Sequence, residues 1–189
     1  QTCALPISAN PSGDLTEIII DRKDTGEDFA ANHYVVLVKP YDNVKNSKIY
    51  TSLGIILDNN EPYVDLGLDY EGGQVYREVY NDDVKLHVSV TDNNHPADKT
   101  VSGLREIYYQ VAVGRENLEK AERVSLYNAE KGKKYTLEEL QNEVLQRNIT
   151  ISKKWNSNDI WVGVTAVDNS GNEYQAFQHL KIDMTKPEV

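Results

Sequence analysis

The chain has almost no cysteine: Cys3 is the only one among 189 residues, so no intrachain disulfide can brace the fold. No run of apolar residues approaches the length of a membrane span, and no signal peptide is visible. Positive charge is in short supply as well. With a net charge of −10 there is no basic face for phosphate, which argues against nucleic acid. The same deficit disfavours adsorption to an anionic membrane surface, so no membrane insertion is expected. The catalytic signatures are missing too. His33, His87, His95 and His179 show no H-x-x-x-H spacing, no G-x-S-x-G occurs, and the carboxylates are plentiful but scattered. The chain is therefore expected not to be an enzyme, and no catalytic residue is assigned. What is present is a globular composition, with 39% hydrophobic and 26% charged residues, too apolar for a disordered chain.

The first seven residues look foreign. Gln1-Thr2-Cys3-Ala4-Leu5-Pro6-Ile7 can be back-translated into a string that resembles a sequencing adapter. On that reading residues 1–7 are an artefact, the native part has no cysteine, and the start is a truncation.

A repeat organises the rest. Tyr34 to Asn46 aligns with Ile160 to Asn172, and both end in Asp-Asn-x-x-Asn. Downstream, Ile56 to Val64 aligns with Lys181 to Val189, with the same spacing from Asp58 to Pro62 as from Asp183 to Pro187. The gap between the two motifs differs by a single residue, which a hairpin loop or bulge absorbs. Ile160, Val162, Val164 and Ala166 share one face of a strand, Asp168 to Asn172 is a tight turn, and Ala176, Leu180 and Ile182 share a face of the returning strand. Each copy is thus a final hairpin followed by a proline that starts a new edge strand. The expected organisation is residues 8–58 as the end of a truncated domain, 59–184 as a complete domain, and 185–189 as the start of another.

Within the complete domain, strands are expected at Pro62–Leu68, Val84–Thr91, Leu104–Val113, Arg123–Tyr127 and Asn148–Lys154, ahead of the terminal hairpin. At least seven strands at this spacing predict an all-β, immunoglobulin-like sandwich. Thr136 and Glu139 form a capping box, and Leu137, Leu140 and Val144 recur at helical spacing, which predicts a short inserted helix over Thr136–Gln146. Such a helix either covers an open sheet edge or serves recognition.

Val162 to Asn172 resembles the V-x-V-x-A-x-D-x-x-G-N signature of bacterial Ig-like repeat domains, and Asp183 to Val189 resembles their D-x-T-x-P-x-V junction. The upstream copy departs from it, with Pro40 in place of alanine and Val44-Lys45 in place of the small-Gly pair. The resemblance implies a tandem spacer or adhesion module of a bacterial cell-surface or secreted protein, extracellular, with neighbouring Ig-like domains as partners. The alternative it leaves open is an accessory domain that binds carbohydrate or protein beside an extracellular enzyme, with a glycan or a host surface protein as partner.

Two candidate sites follow. In a sandwich of this topology the linker and two loops meet at one end, so Asp58, Glu61, Asp92, Asp168 and Asn172, with Asn59, Asn93 and Asn94, could supply hard oxygen ligands to a structural calcium ion at the junction. The competing explanation is that turns prefer the same Asp and Asn residues. Trp161 and Tyr108 fall on outward parity and could stack on glycans, with Tyr174, Trp155 and Tyr80 as further aromatics, although most such residues merely pack along the sheet. Asn148-Ile149-Thr150 fits a glycosylation sequon by chance in a bacterial chain.

Overall fold

Strands form where branched residues alternate with polar ones, because successive side chains point to opposite sheet faces. In Val84–Thr91, Val84, Leu86, Val88 and Val90 are buried while Lys85 is exposed. The computed structural model describes residues 32–52, 54–92, 101–133 and 135–186. Gln1–Ile7, Asn93, Asn94, His95 and Pro187–Val189 lie outside the described residues. The chain divides into two units, Gln1–Leu57 and Asp58–Val189.

In the first unit, β1 (Asn32–Tyr34) pairs antiparallel with β4 (Ile55–Leu57), and β2 (Leu37–Val38) with β3 (Tyr50–Thr51). The tip is Asp42–Asn46. Asp42 accepts from the Val44 and Asn46 amides and from Asn46 Nδ2, and its own amide donates to the Asn46 carbonyl.

Among the described residues, the second unit has seven strands in two antiparallel sheets. The first holds β5 (Tyr63–Leu68), β6 (Val84–Thr91) and β9 (Val144–Ile151) in the order β5-β6-β9. The second holds β7 (Leu104–Val113), β8 (Val124–Asn128), β10 (Ile160–Asp168) and β11 (Glu173–Leu180) in the order β11-β10-β7-β8. Val64, Leu86, Val88 and Ile149 of one sheet form a single core with Ile107, Val162, Val164 and Leu180 of the other. The fold is therefore all-β and sandwich-like. The outer face of the second sheet is roofed by a 3-10 helix, Arg115–Lys120. Buried Gln110 holds it there: its side-chain amide Nε2 donates to the carbonyls of Leu118 at 2.7 Å and Ala121 at 2.8 Å.

The inserted helix is shorter than its apolar spacing predicts. The capping box forms as expected, with Thr136 Oγ1 accepting from the Glu139 amide and Glu139 accepting from the Thr136 amide, but α1 spans only Leu137–Gln141. The reason is the free edge of β6. Val144–Ile151 pairs with all of it, from Thr91↔Val144 to Val84↔Ile151, and this ladder outcompetes the continuation of the helix to Gln146. The fifth strand accordingly starts at Val144 rather than Asn148, and Lys153–Trp155 becomes a 3-10 turn.

The chain enters and leaves this unit at opposite ends. At its start, the Asp58 carbonyl accepts from Asn172 Nδ2 at 2.9 Å, beside the β10–β11 turn. At its finish, Ile182 donates to the Ser157 carbonyl and bridges Tyr80 in parallel, beside the start of β10. Nine residues of β10 separate the two, about 25 Å of strand.

Candidate functional site

The entrance end gathers carboxylates. Asp58 begins the unit, Asp92 follows β6 and Asp168 ends β10. All three are buried, and one oxygen of each lies within 4.8 Å of the others. Each is positioned by backbone amides. Asp58 Oδ1 accepts from the Asn60 amide at 3.0 Å and Oδ2 from the Ser102 amide at 2.8 Å. Asp168 Oδ1 accepts from Gly171 and Asn172, and its Oδ2 from Asn172 Nδ2 at 2.7 Å. Asp92 Oδ2 accepts from the Gly103 amide at 2.6 Å. Asp92 Oδ1 is buried with no hydrogen-bond partner.

Electrostatically the cluster is one-sided. Among the described residues, no ion pair reaches any of the three carboxylates; the ion pairs that do form join Lys153 to Asp82 and His179 to Asp159. Burial pushes the Asp92 carboxyl up to about 7 against the pull of the Gly103 amide, and the charges of Asp58, Asp168 and Glu143 raise it further. Burial also raises Asp168, while Asn172 and the Gly171 amide oppose the rise. Uncompensated charge in a poorly solvated place is the physical cause in both. Oxygen-only donors of this kind suit a hard cation such as calcium or magnesium.

The sequence-derived candidates fall in different places. Asp58, Asp92 and Asp168 are brought together. Asn172 reaches the cluster through its amide, which ties Asp168 to the Asp58 carbonyl. Glu61 is exposed, and it is not among the carboxylates that converge. Sequence reasoning missed Glu143 and the Ser102–Gly103 amides. Glu143 Oε2 accepts from the Leu104 amide at 3.0 Å, and its Oε1 from the Tyr127 hydroxyl. No local motif marks it; only the antiparallel pairing of Thr91 with Val144 sets Asp92, just after β6, beside Glu143, just before β9.

The aromatic candidates do not form a platform. Tyr108 is 7% exposed and lies beneath the Arg123 guanidinium at 4.5 Å. Trp161 is half-buried, stacks on His179 at 4.7 Å and donates through Nε1 to Asp159. Tyr108 pairs with Thr165, four positions along β10 from Trp161. Tyr80 belongs to the core, and Tyr174 packs against it and meets Tyr63. No protein-family model matches the chain, and no curated protein matches it.

Proposed function

We propose that the Asp58–Val189 unit is an immunoglobulin-like, non-catalytic module that works as an in-line spacer or adhesion element of a bacterial cell-surface or secreted protein. The observation that carries this reading is the placement of its ends: the chain enters beside the Asp168–Asn172 turn and leaves beside the start of β10. Modules joined through such ends extend in series rather than fold back on one another. The split of strands between the sheets supports the immunoglobulin-like reading.

The tandem reading draws support from the two Asp-x-x-x-Asn turns. In each, the aspartate amide donates to the asparagine carbonyl, the asparagine Nδ2 donates to the aspartate Oδ2, and the fourth residue has positive φ. Glycan binding by an accessory domain draws less support, because Tyr108 is covered and Trp161 is engaged by His179 and Asp159.

The test is a chain carrying one, two and three copies of residues 58–184 in series, measured by small-angle X-ray scattering. The maximum dimension should grow by roughly 30–40 Å per copy, since a nine-residue strand spans about 25 Å and loops extend it at both ends. A dimension that stays nearly constant as copies are added would end the spacer reading.

A further inference from the structure

We infer that Asp58, Asp92 and Asp168 form a binding site for one calcium ion, which ties the chain entrance to the ends of β6 and β10. These side chains would bind the ion whether or not the unit serves as a spacer.

The three carboxylates come from segments far apart in sequence, yet one oxygen of each lies within 4.8 Å of the others. Like charges converge in this way only at a cost, because each repels the others and burial removes the water that would screen them. The donors that hold them are neutral amides, from Asn60, Ser102, Gly103, Gly171 and Asn172. They fix the geometry without cancelling the charge. The independent sign of a missing partner is Asp92 Oδ1. Asp92 is 2% exposed, and this oxygen has no donor. An oxygen so enclosed is normally satisfied.

A neutral donor such as water could bond that oxygen but would leave the net charge in place. A divalent cation would satisfy the oxygen and offset the charge together. Calcium suits the arrangement better than magnesium. It accepts irregular sets of six to eight oxygens, mono- or bidentate, whereas magnesium demands a near-ideal octahedron and keeps several waters. Here each carboxylate already has its orientation set by backbone amides, so the ion must adapt to the protein. Glu143 adds to the field at Asp92 but is not one of the three carboxylates whose oxygens converge, and it acts as a source of negative potential.

The test uses the full chain, stripped with EDTA and titrated with calcium chloride by isothermal calorimetry and by thermal melting. Binding of one ion per chain is expected, with a melting temperature raised by roughly 4–10 °C at millimolar calcium. Asp92→Asn should weaken calcium binding at least tenfold, while melting in EDTA no lower than the wild type, because the neutral amide relieves the repulsion. Asp58→Asn gives a second variant with the same expected loss of calcium binding. Three results overturn the proposal: no calorimetric binding by the wild type at millimolar calcium, equal binding by both variants, or a melting shift reproduced by magnesium or by sodium chloride of equal ionic strength.

Discussion

Lys45 and Gly171 hold the same place in two turns of one design, and they do not hold it equally well. Lys45 has φ of 66° and Gly171 of 96°, in the region where a Cβ crowds the following carbonyl. Nothing lies within 4 Å of the place where a Cβ on Gly171 would sit, so the cost of a side chain there is conformational alone. Gly171→Ala should therefore destabilise the second unit by about 1–2 kcal/mol. Lys45→Gly should stabilise the first by about 1 kcal/mol, offset in part by the freedom glycine gains when unfolded. Urea denaturation of each variant checks both signs, and a stabilising Gly171→Ala would contradict the turn assignment. The same scale shows why the aspartate cluster was only partly legible in sequence. Asp58, Asp92 and Asp168 announce themselves as turn residues next to apolar runs. The role of Glu143 depends on strand register, which one residue type at one position cannot reveal.

At the scale of elements, alternation reveals most of the architecture and misses what is held by tertiary contacts. Val84–Thr91 and Ile160–Ala166 read directly as strands because every second residue is apolar and buried. The 3-10 helix Arg115–Lys120 has no such period. It is held by the Gln110 amide, which donates to the carbonyls of Leu118 in its last turn and of Ala121, its C-cap. For α1, Thr136 and Glu139 mark the start faithfully, but the end is decided by the edge of β6, which is remote in sequence.

Leu140 anchors that short helix. It is buried, and a Cβ on Gly103 would collide with its methyl group. Leu140→Ala is expected to cost about 2–4 kcal/mol, measured by chemical denaturation; a loss under half a kilocalorie would mean that α1 is not packed. The capping box carries a pH signature. The Thr136 backbone amide and hydroxyl hold the Glu139 carboxyl below the usual glutamate range. A depressed carboxyl pKa contributes stability above its unfolded value and loses it as pH falls through the folded one. The α1 amides should therefore shift together with the Glu139 carboxyl in an acid titration followed by NMR, at a midpoint below that of an unperturbed glutamate. A midpoint at or above the ordinary value would remove the cap's electrostatic contribution.

At the scale of the whole molecule, the second unit contains its own core. Every residue of that core, from Val64 to Ile182, belongs to the Asp58–Val189 unit. Residues 58–189 prepared alone should fold, giving amide spectra that overlay on those of the full chain. A collapsed, poorly dispersed spectrum would show that the core is incomplete without the first unit. The placement of the ends also dictates how this unit meets tension. A pull applied at Asp58 and Asp183 runs along the strands. It drags β5 lengthwise against β6 and β11 lengthwise against β10, through ladders of six and eight paired residues. Such a load must break many hydrogen bonds at once instead of peeling them in turn. Resistance to it is a matter of the unfolding rate rather than of equilibrium stability. The bonds from Ser102 and Asn172 to Asp58, and those joining Tyr80 to the 181–183 segment, are the clasps that a stretching force meets first.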